Sequence, residues 1–151
     1  MLERTFIFLK PEAVMRGLIG EIVSRIERKG FNIVALKLHK IDRKQAEDLY
    51  SVHRTKIFFG PIVNHVTCSP VLLMVVEGAD VVNQIRRMIG STDPAKAEPG
   101  TVRGDYAQIV QNNMIHASDS LENVVREITI FFSHDEIFSY EKPTEKSFLL
   151  S

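Results

Sequence analysis

Val71-Leu72-Leu73-Met74-Val75-Val76 is the stretch on which the fold turns. It follows Pro70, carries no polar residue and falls far short of membrane-spanning length, so it reads as a central strand of a sheet. Just upstream, Phe58 to Thr67 reads as a short helix. Just downstream, Asp80 opens a helix that carries Val81, Val82, Ile85, Met88 and Ile89 and stops at Gly90. Further towards the N-terminus, Asn32 to Ile41 alternates as a half-buried strand, with Val34, Leu36 and Leu38 on one face against Lys37, His39 and Lys40. Asp42 then caps a helix reaching about Tyr50. Ile19, Ile22, Val23 and Ile26 recur at helical spacing, with Gly30 as the stop, and Thr5-Phe6-Ile7-Phe8-Leu9 is a short buried strand ended by Lys10-Pro11.

On the C-terminal side, Ser91 to Asn112 shows no sustained periodicity, and a loop of that length in a small domain is functional or disordered. Met114-Ile115-His116-Ala117 reads as a last short strand. Ser118, Asp119 and Ser120 each offer a cap for the helix whose stripe is Leu121, Val124, Val125, Ile128, Phe131 and Phe132. The order gives two β-α-β units in series, hence an α/β sandwich that is either ferredoxin-like or doubly wound. The pattern alone does not choose between them.

The 151 residues, 44% hydrophobic and 25% charged, suit one globular domain over 1–151, with about 141–151 as a C-terminal extension. Lys plus Arg equals Asp plus Glu at 19 each, so neither nucleic acid nor an anionic membrane is expected as the main partner. The single Cys68 has no partner for a disulfide or a metal site, and Met1-Leu2-Glu3-Arg4 precedes too short an apolar run for a secretory signal. These features read as a soluble, untargeted, cytoplasmic protein.

There is no G-x-x-x-x-G-K-S/T loop and no G-x-G-x-x-G, so any phosphate must be held by side chains. His39, His53, His65 and His134 read as ordinary surface residues. His116 ends an apolar segment immediately before a capped helix; its context fits either a half-buried histidine bonded to a backbone carbonyl or a reactive one. Glu127 projects to the edge of the last helix's stripe, where it is either solvated or able to fix a histidine tautomer. Lys10, Arg86 and Arg103 read singly as solvated charges, although arginine forks suit the equatorial oxygens of a phosphoryl group. Tyr50 and Phe58 are core residues or base-stacking ones.

Asn113-Met114-Ile115-His116-Ala117-Ser118-Asp119-Ser120 resembles the motif N-x-x-H-G/A-S-D-S of nucleoside diphosphate kinases. Thr5 to Val14, Gly17 to Ile22, Arg28 to Phe31, Phe58-Phe59, Gly90 to Pro94 and Pro99 to Tyr106 are similar to the family's other landmarks in the same order. The resemblance runs from Glu3 to about Tyr140. Ala117, Ser69, Ile57 and Gln111 depart from the commonest pattern.

The resemblance implies a ferredoxin-like fold with a four-stranded antiparallel sheet and helices packed on it. It implies a phosphotransferase that moves the γ-phosphoryl group of a nucleoside triphosphate such as ATP to a nucleoside diphosphate, by a ping-pong mechanism through phosphohistidine at His116. Glu127 and Ser118 correspond to the residues that steady His116, and Tyr50 to the tyrosine beside it. Lys10, Arg86, Thr92 and Arg103 correspond to phosphate contacts, Asn113 and Lys10 to ribose contacts, and Phe58 to the base-stacking residue. Mg²⁺ would ride on the nucleotide phosphates, with no protein metal ligands. The Pro-Gly-Thr loop and C-terminal extension favour a homohexamer over a tetramer. Chemistry agrees with this picture: an unperturbed imidazole, with a pKa of about 6.5, is mostly neutral and nucleophilic at pH 7. A catalytically silent nucleotide-binding relative and a ferredoxin-like ligand-sensing module are the rival classes, and both lack phosphate transfer to His116.

Overall fold

A computed structural model of the chain describes residues 2–142. Strands β1 (Leu2–Leu9), β2 (Asn32–His39), β3 (Val71–Ala79) and β4 (Ile115–Ala117) form one sheet in the order β2-β3-β1-β4, with every neighbouring pair antiparallel. Helices α1 (Pro11–Met15), α2 (Ile19–Arg28), α3 (Arg43–Leu49), α4 (Phe59–Thr67), α5 (Val81–Ile89), α6 (Val102–Tyr106) and α7 (Leu121–Phe131) connect the strands. This is the ferredoxin-like α/β arrangement, and its antiparallel pairing excludes the doubly wound alternative. Most of the C-terminal extension, 143–151, lies outside the described residues.

The central strands β1 and β3 are apolar on both faces because both faces are covered. Strand alternation sends Ile7, Leu9, Leu72, Met74 and Val76 to one side, where they meet Ala13 of α1, Ile22 and Ile26 of α2, Ile85 of α5 and Val102 of α6. Phe6, Phe8, Leu73 and Val75 go to the other, against Ala46 of α3, Val63 of α4 and Phe131 of α7. Burial of each such side chain contributes roughly 1.5–3 kcal/mol. On β4 the same alternation buries Ile115 and Ala117 in the first layer and turns His116 to the second.

Four expectations need correction. A β-bulge at Val34 shifts the pairing of β2, and the carbonyl it frees accepts the Phe138 N–H at 2.9 Å. One extra residue moves the following side chains to the opposite face, so Leu36 and Leu38 lie 51% and 60% exposed and do not line the core. Met114 is outside β4, held at a φ of 75°. The irregular stretch contains α6, capped by the Thr101 side chain, which accepts from the Gly104 N–H. Asp80 precedes α5 without capping it; it adopts a left-handed φ of 49° and its side chain accepts from Asn83.

Candidate active site

A cleft of about 650 Å³ opens on the second face of the sheet, between the α3–α4 hairpin and the segment that leads into β4. His116 sits in its wall. Antiparallel pairing puts His116 opposite Phe8, and the two rings stack at 5.1 Å and 23°. Tyr50, at the end of α3, presents its ring edge-on to the imidazole at 6.3 Å and 84°. Apolar rings thus fix the plane of the histidine and leave one edge for hydrogen bonding.

That edge is taken by Glu127. Its Oε1 lies 3.0 Å from Nε2 of His116, and the Ser118 hydroxyl donates to its Oε2. A carboxylate only accepts, so Nε2 carries the proton and Nδ1 keeps its lone pair. Ser118 lies behind Glu127, outside the cleft lining, with its own N–H donated to Phe6 O at 3.0 Å. The assumed placement of Glu127 at the edge of a solvent boundary is wrong in degree: it is 4% exposed and lies on the buried face of α7 between Val124 and Phe131.

Two of the cations are buried as well, contrary to their reading as solvated charges. Lys10 and Arg103 are each 6% exposed. Lys10 ends β1, and its Nζ donates to Asn113 Oδ1 at 2.7 Å, while Asn113 Nδ2 donates to Thr92 O at 3.0 Å. Burial, only partly offset by the nearby Glu12 charge, pulls the Lys10 ammonium down to about 8. Arg103, on α6, donates to three carbonyls: Asn113 O at 3.2 Å, Gly90 O at 3.0 Å and Ile115 O at 2.7 Å. Burial, and then the charge of Arg86, lower it to about 10. Arg86 is solvent-exposed and reaches Ala117 O at 3.2 Å from α5. Gly90, at a φ of 87°, lets α6 approach: a Cβ there would lie 2.5 Å from Thr101 Oγ1.

The Tyr50 hydroxyl is buried without a hydrogen-bond partner among the described residues. Burial first, and then the charges of Glu127 and Glu12, push its pKa up, so it remains a phenol and a donor. Phe58 precedes α4 and is 48% exposed at the cleft, whereas Tyr50 belongs to the core.

Every residue singled out from the sequence except Ser118 lines this cleft: His116, Glu127, Lys10, Tyr50, Phe58, Arg86, Thr92, Arg103 and Asn113. Others went unnoticed. His53, read as an ordinary surface residue, packs on Phe58 at 5.2 Å, and His65 is half-buried with Nε2 2.6 Å from Glu12 Oε2. Val110 and Gln111 form part of the wall, whereas Ile57 is 98% exposed. Nothing in the local sequence marks these residues, because the α3–α4 hairpin faces the segment before β4 only after the sheet has formed.

Chemically, the cleft offers an oriented imidazole with one free nitrogen, three cations and an exposed aromatic face. Among the described residues no group of three or more His, Cys, Asp or Glu converges in a way that could hold a metal ion, and no helix is long and apolar enough to cross a membrane.

The nucleoside diphosphate kinase family model matches residues 3–137. A nucleoside diphosphate kinase from Ignicoccus hospitalis is 56% identical over 136 residues, 90% of this chain and 92% of that protein. One from Archaeoglobus fulgidus is 49% identical over 144 residues, 95% of each. Among solved structures, a halophilic nucleoside diphosphate kinase from Halobacterium salinarum in complex with CDP superposes with a TM-score of 0.94 at 42% identity, covering 97% of this chain and 98% of that one. With its fold, its cleft and nearly its whole length shared with these relatives, the chain belongs to the nucleoside diphosphate kinase family, phosphotransferases that act between nucleotides.

Proposed function

We propose that His116 is the residue that carries the phosphoryl group, through Nδ1, and that the exchange is ping-pong. The observation that carries this reading is the bond from Glu127 Oε1 to Nε2, which leaves the other ring nitrogen as the nucleophile. A nucleoside triphosphate, ATP among them, lies with its base on Phe58 and its phosphates towards Lys10, Arg86, Thr92 and Arg103. Nδ1 attacks the γ-phosphorus, the bond to the β-phosphate oxygen breaks, and the nucleoside diphosphate leaves with that electron pair. A second nucleoside diphosphate then takes the phosphoryl group by the reverse displacement.

Lys10, Arg86 and Arg103 neutralise charge on the transferring group, and Tyr50, with its proton retained, supplies a donor beside the imidazole. Glu127 orients the ring and balances charge on it; no proton need be removed from a neutral imidazole before attack. Asn113 and Lys10 reach the ribose. Base stacking with few base hydrogen bonds discriminates poorly, which supports weak base preference.

Nucleotide kinases generally need a divalent metal, and Mg²⁺ is the ion proposed here. A cleft lined by three cations and lacking a carboxylate cage fits a metal carried in on the nucleotide, where it would shield phosphate charge. The free, exposed Cys68 is consistent with a reducing, cytoplasmic setting. We assign the assembly to a homohexamer, and the domain to 1–151 with an extension from about 141.

Incubation with ATP and Mg²⁺ without acceptor, followed by intact mass and peptide mapping, tests the mechanism. One acid-labile phosphoryl group per subunit, on His116, is expected, and His116→Ala removes it together with turnover. An unmodified protein, or label on serine alone, rules the phosphohistidine out.

A further inference from the structure

Glu12 follows Lys10-Pro11 in the first turn of α1 and is buried, yet the transfer chemistry described above makes no use of it. Its carboxylate joins two distant parts of the chain. Oε1 accepts the Met114 N–H at 3.1 Å, and Oε2 lies 2.6 Å from Nε2 of His65 on α4. Burial alone pushes this carboxyl up, but the hydrogen bond and charge of His65, a backbone hydrogen bond and the Lys10 charge outweigh it and leave Glu12 below the usual carboxylate value. Glu12 is therefore an anion at neutral pH, able only to accept.

Met114 is an unusual residue to hold. It combines a φ of 75° with an Ile115 N–H to Asn113 O bond of 2.9 Å across it, which is a γ-turn with its centre at positive φ, the more strained of the two forms. This turn is a hub. Met114 O accepts the Lys10 N–H at 2.9 Å; Asn113 O accepts from Arg103; the Asn113 side chain meets Lys10 Nζ. β4 and His116 begin directly after it. A buried main-chain N–H in such a turn must find an acceptor, and Glu12 is that acceptor. His65, in turn, belongs to the helix that begins just behind Phe58.

We infer that Glu12, held by His65, is a positioning residue for phosphoryl transfer. Through Met114 it sets the turn that aligns Lys10, Asn113 and Arg103 with His116. Through His65 it ties that alignment to the helix beside the base-stacking Phe58, so the nucleoside end and the phosphate end of the cleft are kept in fixed relation. The inference rests on the reading of His116 and Phe58 given above.

The test measures the rate of His116 phosphorylation by ATP and Mg²⁺ in rapid quench, together with steady-state kcat and KM and the melting transition, for Glu12→Ala, Glu12→Gln, His65→Phe and the double variant Glu12→Ala/His65→Phe. Glu12→Ala should lower the rate on the order of tenfold to a hundredfold, as expected for loss of a hydrogen bond to a charged acceptor. Glu12→Gln should recover most of it, because an amide oxygen still accepts the Met114 N–H. His65→Phe should raise KM several-fold with a smaller change in kcat. The double variant should be no slower than Glu12→Ala alone, because both side chains act through one carboxylate. A folded Glu12→Ala within twofold of the parent, a Gln variant no better than Ala, or additive effects in the double variant each overturn the inference. Should Glu12→Ala not fold, the pair Glu12→Gln and His65→Phe decides: a raised KM in His65→Phe with near-parental Glu12→Gln supports it, and parental kinetics in both overturn it. A parent protein that is never phosphorylated on His116 instead refutes the site reading beneath it.

Discussion

Helices α2 and α7 show equally clean apolar stripes in the sequence, yet they bury different things. α2 delivers what its stripe promises: Ile22 and Ile26 are each 1% exposed against the first face of the sheet. α7 does not. Leu121 and Val125 stand 54% and 70% exposed, while Glu127 takes the buried position between Val124 and Phe131. The reason is what each helix meets. α2 faces strands that present only apolar side chains, whereas α7 crosses β1 next to β4, where the sheet presents an imidazole and the Ser118 hydroxyl. A carboxylate there is satisfied by both, so its burial costs less than it would against hydrocarbon. A local rule broken and then compensated by partners marks the functional face.

The contrast can be broken by experiment, starting where the effect is largest. Ile26→Ala should cost about 2–5 kcal/mol of folding stability in urea, while turnover per folded subunit stays unchanged. Turnover lost at parental stability would show that the two faces are not functionally separate.

Glu127→Ala should do the reverse. Losing a charge-assisted hydrogen bond of roughly 1.5–3 kcal/mol lowers kcat/KM on the order of ten- to a hundredfold, and Glu127→Gln, which still accepts the ring N–H, should lose less. A folded Gln variant as inactive as His116→Ala would give Glu127 an obligatory chemical role in place of orientation.

A pH profile sharpens the comparison further, because the buried cation is on the same functional face. As pH rises through about 8, Lys10 loses its proton, and kcat/KM should fall by at most about tenfold per pH unit. Stability should respond with the opposite sign. Between about 8 and the ordinary 10.5 the unfolded chain keeps a proton that the folded one has released, so the Lys10 contribution to stability rises with pH. An alkaline limb that persists in a folded Lys10→Met variant would assign it to another group.

The smallest effect belongs to the exposed side of α7. Val125→Ser should change stability by no more than about 0.5 kcal/mol, as for other surface substitutions. A loss comparable with that of Ile26→Ala would restore the stripe that the sequence suggests and would contradict the burial of Glu127.

By itself, the sequence determined where the chain changes direction and which residues carry the chemistry. Period-two and helical spacing located β1, β3, α2 and α5, because those elements face uniform apolar surroundings in which hydrophobicity is the only term. The run from Asn113 to Ser120 and its collinear companions identified the family, since side-chain chemistry at fixed order survives in one dimension. Tertiary structure alone decided the rest. The direction of the strands was set by pairing, not by any residue type. The face of β2 was set by one bulged residue, Val34, and the face of α7 by the polar group opposite it. Lys10 and Arg103 became buried cations only when Asn113, Gly90 and Ile115 came together around them, over separations of 103, 13 and 12 residues. Burial, hydrogen-bond satisfaction and pKa depend on neighbours in space, and those neighbours do not exist until the sheet closes.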